Sequence, residues 1–522
     1  MKMLLAASAA FLLSSLASQA SVTTFPLVPW DVESKDVQLT VDGVPVPVGE
    51  TRNGPKVRYC HFDSDKPVTV VVTHPGKLGN GELLVASNDR ANVKPQRLAD
   101  APKSWQFTMR PNTKVYIKTS QTFICMSAPE AKPPAPGDAN VINLATLGVK
   151  PNTEAPSTSG IQQAIDAAAK DATRKTVYMP PGVYTSGTLY MRDGVTLYLA
   201  AGAILRGSLD GAEWKHQPGD KYGGTSAFVF FGNDHEKKGE IVGVKNAAIR
   251  GRGVIDGWGH HFRRDLVDGK PGNSPYYYEG DLTKKARLIM AMKAENCVVE
   301  GVTLRNPVFW TVHALGSKKM DFTDLRVYSN FRINNDGINY DSCTDSTIDN
   351  CVMTTGDDSH CLKNEYMNGL GSPNERIRMA NSILTGFPMG IKFGWAIHQI
   401  RDCTYENNWL VNSAFKAAFA KGVFSPAPGP KIVEMTGITL RDMVIDEGFS
   451  LEIPEGKKKN NNIDGFKLEQ FRIENSVMKY LSLKQVKGVV LKDVTVGGVS
   501  LKNAADAAPL LPECIDVQVV AK

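Results

Sequence analysis

The sequence predicts an all-β chain, a right-handed parallel β-helix preceded by a small β-sandwich. Three observations predict it. An eight-residue strand template recurs through the second half, a Pro-rich segment separates that half from a shorter region of alternating strands, and one stretch alone is convincingly helical. With 522 residues the chain has room for more than one domain and a large core.

Residues 1–20 read as a secretory signal peptide. Lys2 supplies the positive charge, Leu4 to Leu16 is an apolar run diluted by Ala and Ser, and Ser18-Gln19-Ala20 offers small residues for cleavage. The run is short for a bilayer span, and no other segment approaches the required length, so no membrane span is expected in the mature protein. The expected location is secreted or periplasmic.

Residues 21–127 carry short alternating stretches. Val37-Gln38-Leu39-Thr40-Val41 runs into the turn Asp42-Gly43, and Val68 to Val72 and Thr113 to Ile117 are further strands, which together predict a sandwich of about a hundred residues. Residues 128–137, Ala-Pro-Glu-Ala-Lys-Pro-Pro-Ala-Pro-Gly, cannot pair in a sheet and read as a linker. Residues 138–522 form the second domain. It opens with a helix over Ser159 to Asp171, with Ile161, Ala164, Ile165 and Ala168 on one face and Ser159 as its N-cap. Close-spaced strands follow at Thr176 to Met179, Val183-Tyr184, Thr188 to Met191 and Val195 to Leu199.

The template begins at Cys297-Val298-Val299-Glu300-Gly301-Val302-Thr303-Leu304: apolar, x, apolar, x, turn residue, apolar, x, apolar. It fits again from Met320, Ser346, Ile377, Ile438, Phe466 and Val489, with Gly301, Asp324, Asn350, Asn381, Asp442, Gln470 and Asp493 at its fifth position. Most steps are 23 to 31 residues, and the longer one from Ile377 to Ile438 implies a missed copy or inserted loops. A strand that bends at Gly, Asn or Asp once per coil and continues is the mark of a parallel β-helix. An antiparallel sandwich would not explain a fixed template with irregular inserts. The stacking predicts that Val299, Phe322, Ile348 and Met379 line one core.

Composition excludes several functions. A net charge of +6 over this length is too dilute for nucleic acid, though a modest basic balance suits an acidic polymer. Eight cysteines are too few for a disulfide scaffold. Cys60 and Cys125 could bridge in an oxidising compartment, and the others look like small core residues. No cysteine or histidine spacing predicts a metal site, and no cofactor is expected.

Two acidic motifs lie one coil apart. Asn334-Asn335-Asp336-Gly337 precedes Gly356-Asp357-Asp358-Ser359, with Asp357 21 residues after Asp336. Three clustered carboxylates repel one another, which keeps one protonated while others stay ionised. Glycoside hydrolysis needs that pair of states: an acid for the leaving oxygen and a base for water. A calcium site or plain turn aspartates are the alternatives. Further candidates for contact with a sugar chain are Lys363, Lys392, Trp395, His360, Asn334 and Trp310, with Trp409 also able to stack or to pack in the core. His360 could equally join the interior stack. His260-His261 reads as loop surface, and Glu452 with Lys457 to Asn462 as a loop at a cleft rim.

At these residues the second domain resembles the polygalacturonase family, glycoside hydrolase family 28, and its dextranase relatives. Phe309-Trp310-Thr311-Val312-His313, Asn334 to Gly337, Gly356-Asp357-Asp358 with Lys363, and Gly251 to Gly257 carry the resemblance, which extends over roughly residues 140 to 500. It implies a secreted, inverting hydrolase of a polysaccharide, with Asp357 as general acid and Asp336 and Asp358 activating water. Two departures stand out. The family's Gly-His-Gly is replaced by Gly386-Phe387-Pro388-Met389-Gly390, with Met389 in place of the histidine. The Arg-Ile-Lys motif that holds a substrate carboxylate has Lys416 and Lys421 as its nearest counterparts. A pectic substrate and a neutral α-glucan of the dextran or pullulan type both fit, the latter because the dextranase branch also lacks the histidine and carries a leading sandwich. A polysaccharide lyase using Lys363 or Lys392 as base, and a non-catalytic carbohydrate-binding β-helix, are the readings from other classes.

Overall fold

In the computed structural model, residues 22–521 are described apart from 52–55, 218–224, 233–240, 260–285, 332–333, 365–372, 387–388, 395–398, 419–431 and 453–464. The expected signal peptide, Trp395, His260-His261, Lys421 and Lys457 to Asn462 lie outside the described residues.

The recurring template becomes a recurring coil. Lys318–Thr323, Arg326–Ser329 and Ile338–Asp341 make one turn of the helix, and Thr347–Asp349, Val352–Thr355 and His360–Lys363 make the next. Each strand pairs in parallel with its counterpart one coil on. Val299 sits beside Phe322, Phe322 beside Ile348, and Ile348 beside Met379, all four fully buried in one core. The template's fifth position is where the chain corners. Gly301, Asp324, Asn350, Asn381, Asp442, Gln470 and Asp493 all have φ between 52° and 76°. That left-handed conformation costs most L-residues roughly 1–2 kcal/mol and is tolerated best by Gly, Asn and Asp.

The long step from Ile377 to Ile438 contains a further copy, Cys403 to Leu410. Its corner is Asn407 at φ 50°, and Tyr405 stacks between Met379 and Leu440. The helix over Thr158–Lys170 buries Ile161, Ala164, Ile165 and Ala168 as the periodicity predicts, but its N-cap residue is Ser157 rather than Ser159.

The N-terminal strands form two sheets closed over their own core, in which Val41, Val70 and Phe107 of one sheet meet Phe62, Val115 and Ile124 of the other. The turn at Asp42-Gly43, with φ of 47° and 80°, joins Gln38–Val41 to Val44–Val46. Strand Thr122–Ser127 is buried along its whole length because its outer face is also covered. Tyr116, Phe123 and Cys125 pack there against Tyr328, Val352 and Ile383 of the coils.

That arrangement leaves no bridge between Cys60 and Cys125, which the sequence left open. Both are free thiols. Their strands run parallel with Cys60 opposite Ile124 and Cys125 opposite His61. Cys60 therefore points into the sandwich core while Cys125 points at the coils.

The sandwich grips the cornering edge of the coils through buried charge. Lys114, with no exposed side-chain surface, reaches Asp324 at 2.6 Å. Arg305 is bidentate to Asp31 at 2.6 and 3.0 Å, and Arg252 meets Asp63 at 3.0 Å. Asn88 and Arg90 bond the corner residues Asn350 and Asn407.

The corner geometry gives a direct stability test. Asp493→Gly should leave the urea midpoint at or above that of the parent, whereas Asp493→Val should cost ~1–2 kcal/mol, since a β-branched residue is strained at φ 52°. Equal stability of the two variants would remove the conformational role of the fifth position.

Candidate active site

The two acidic motifs occupy the loops between the second and third strands of adjacent coils. Asn335 fixes the first loop, its amide donating to the Phe309 carbonyl at 2.8 Å and the Pro307 carbonyl at 3.3 Å of the preceding coil. The backbone then stacks directly, with Thr311 N–H donating to the Asp336 carbonyl and Gly337 N–H to the Asp358 carbonyl, both at 2.9 Å. Gly337 is required by this approach, because a Cβ there would lie 2.2 Å from the Ser359 carbonyl oxygen. Asp336 and the Asp357-Asp358 pair are thereby held in register.

Each carboxylate has distinct partners. Asp336, 2 % exposed, accepts from the Asn339 amide at 2.8 Å and from Lys363 Nζ at 3.2 Å through the same oxygen. Asp357 is half-buried and accepts from the backbone N–H groups of Asn334 at 3.2 Å and Asp358 at 3.0 Å. Asp358, 3 % exposed, is paired with Lys392 at 2.9 Å through Oδ2, while its Oδ1 has no hydrogen-bond partner among the described residues.

Burial, reinforced by the charges of Asp336 and Asp357, pushes Asp358 up to about 7 despite the opposing Lys392. Burial and then Asp336 also raise Asp357. Lys392 is itself partly desolvated, yet Asp358 holds its pKa above the ordinary lysine value. Burial and mutual repulsion thus raise two of the three clustered carboxyls, the kind of perturbation that paired acid and base chemistry uses.

Strand alternation sorts the other candidates. In His360–Lys363, His360 lies opposite Ile338 and Ile391, which face the core, whereas Cys361 lies opposite Asn339 and Lys392 on the outer face. His360 is thus a correction to the set of sugar contacts. It is fully buried, its Nδ1 2.8 Å from the Ile338 carbonyl and its Nε2 3.3 Å from the Tyr405 hydroxyl, and burial lowers it to about 4. Trp310 is 4 % exposed and has Lys363 Nζ 3.6 Å from its ring centre, so that face steadies the lysine. Trp409 belongs to the sandwich contact, bonded to Asp446 at 2.9 Å with Lys118 over its ring. Asn334, at φ 64°, serves through its backbone N–H.

One residue escaped the sequence reading. Asn339 is three residues past Asp336 on the outward face of its strand, and alternation alone could have flagged it. Lys416 lies beside Lys392 in the next coil, so the outward line Asn339, Cys361, Lys392, Lys416 turns cationic away from the carboxylates.

Residues 223–369 match the model of the glycosyl hydrolases family 28. That stretch contains both acidic motifs, Phe309 to His313 and Lys363. Over that stretch this chain is similar to the family 28 glycoside hydrolases. It is 26 % identical over 409 residues to a probable polygalacturonase of Vitis vinifera, covering 73 % of this chain and 78 % of that one. It is 28 % identical over 255 residues to an exo-poly-alpha-D-galacturonosidase of Dickeya chrysanthemi, 42 % of this chain but only 41 % of that protein. In fold it is similar to an exopolygalacturonase from Thermotoga maritima, with a TM-score of 0.55 at 17 % identity over 74 % of this chain and 93 % of that one. It is also similar to Dex49A from Penicillium minioluteum, with a TM-score of 0.51 at 13 % identity over 95 % and 96 % of the two chains. The second likeness extends over the sandwich as well as the coils. Among the described residues no helix is long and apolar enough to cross a membrane.

The raised pKa of Asp358 has a sign that stability measurements can read. The folded state holds the proton more tightly than the unfolded chain, so the stabilising contribution is complete below the unfolded value of about 4 and is lost as pH rises through about 7. The urea stability of the parent relative to Asp358→Asn should fall across that window and level off above it. A difference flat from about pH 4 to about pH 7 would contradict the shift.

Proposed function

We propose that the chain is a secreted hydrolase of a pectic polysaccharide, cleaving galacturonide linkages with inversion through Asp336, Asp357 and Asp358. The observation that carries the reading is the buried three-carboxylate cluster with one lysine on Asp336 and another on Asp358. Asp357 is the most exposed of the three and has no lysine bound to it among the described residues, so it is suited to deliver a proton to the glycosidic oxygen. Asp336 and Asp358, more deeply buried and each fixed by a lysine, are suited to orient and deprotonate water on the other side of the sugar.

The names of the Vitis and Dickeya relatives favour galacturonide as substrate. So does the charge of the outer face, where Lys392 and Lys416 stack one coil apart and offer cations to a uronate carboxylate. The elimination chemistry of a lyase needs a neutral basic side chain. Lys392 is held protonated by Asp358, the wrong state for that role.

Reducing-end release from polygalacturonate, with dextran and pullulan as comparisons, tests the assignment. Asp357→Asn should lose ~100- to 10,000-fold in turnover on polygalacturonate, and the loss should shrink on an aryl galacturonide whose leaving group needs no proton. Asp336→Asn and Asp358→Asn should impair both substrates alike. Near-normal turnover by all three variants would make the carboxylates structural and remove the hydrolase reading.

A further inference from the structure

Beside the second acidic loop lies a pocket that shares Gly356 with that motif and reaches from the coils across to the sandwich. Its volume is 530 Å³, within the usual range of roughly 300–1,000 Å³ for small-ligand sites. One wall comes from the coils, including Phe331, Asn412 and Gly356, the residue immediately before Asp357. The opposite wall comes from the sandwich and includes Lys56, Tyr116 and Gln121. The pocket exists only because the outer face of the sandwich sheet packs on Tyr328, Val352 and Ile383.

Its chemistry is that of a sugar site. Phe331, only partly buried, offers ring surface for the C–H face of a pyranose. Gln121 and Asn412 are exposed residues at tight corners, with φ of 51° and 48°, and their side-chain amides have no hydrogen-bond partner among the described residues. Amides of this kind match sugar hydroxyls, each offering donors and an acceptor. Lys56 is largely exposed and tethered to Glu50 at 2.6 Å, which leaves its other protons for an incoming carboxylate.

We infer that this pocket is a subsite for a sugar residue of the bound chain remote from the scissile bond, with the sandwich supplying its outer wall. The occupant is a uronic acid residue, recognised by Lys56 and the Gln121 and Asn412 amides. The inference rests on the hydrolase reading above for the direction in which the polysaccharide crosses Gly356. It gives the sandwich a part in substrate recognition: a chain long enough to span from the carboxylates into the pocket gains contacts that a short oligomer cannot reach.

The test uses the full chain and galacturonate oligomers of two and six residues. Lys56→Ala combined with Gln121→Gly, and separately Asn412→Gly, remove the contacts; glycine is at ease at both corners. The ratio of kcat/KM for hexamer over dimer should fall roughly tenfold in the double variant, about one charge-assisted contact's worth. Hexamer affinity measured calorimetrically in an Asp357→Asn background should fall by a similar factor. An unchanged ratio with hydrolysis intact overturns the subsite and leaves the hydrolase reading standing. Loss of hexamer binding in a protein that hydrolyses no galacturonide supports the subsite and sinks the hydrolase reading instead. Absence of hexamer binding to the parent chain overturns the subsite as a uronide site.

Discussion

The corner residue that ends the first strand of every coil is the constraint on which the rest of the molecule depends. Held in the left-handed region from Gly301 to Asp493, it turns the chain at the same point each time. Strands that turn together stay in parallel register, so side chains one coil apart meet at strand spacing. Val299, Phe322, Ile348 and Met379 fill the interior on that basis, and Asn339, Cys361, Lys392 and Lys416 line the outside. The same edge receives the sandwich, whose Lys114, Asn88 and Arg90 bond Asp324, Asn350 and Asn407, three of the four successive corners from Asp324 to Asn407.

The carboxylate cluster follows from that register. Two loops in adjacent coils could not hold three acids so close unless backbone stacking fixed them, and the bond from Gly337 N–H to the Asp358 carbonyl does so. Burial then raises Asp357 and Asp358, and the lysines oppose that rise. Paired lysines would be a weak source of stability, since desolvating both charges offsets most of their attraction. Here they set protonation, which is the property that the chemistry uses.

Much of this was legible in the sequence because it is periodic. The template located the corners and the core, and the two acidic motifs one coil apart located the cluster. The copy from Cys403 to Leu410 escaped because its sixth position is Asn408, polar where the template expects an apolar residue. Asn408 is fully buried and satisfied internally, donating to the Met379 carbonyl at 2.9 Å and accepting from Ser382 N–H at 3.0 Å. The lysine assignments were not readable, since Lys363 and Lys392 reach acids 27 and 34 residues away across loops whose path the sequence does not encode locally. His360 follows the same logic in reverse: its proximity to Asp358 in sequence is overruled by alternation, which turns it inward. The Cys60–Cys125 pairing failed because a one-residue offset in register puts the two thiols on opposite faces.

The central claim is that Asp336, Asp357 and Asp358 act together, with water attacking the sugar from the side opposite the departing group. Proton NMR of the anomeric region during the first turnovers on an α-linked galacturonate oligomer tests it most directly. Inversion requires that the new reducing end appear as the β-anomer before mutarotation mixes the two forms. First appearance of the α-anomer would mean retention through a covalent intermediate and would contradict the arrangement of acid and water proposed for these carboxylates.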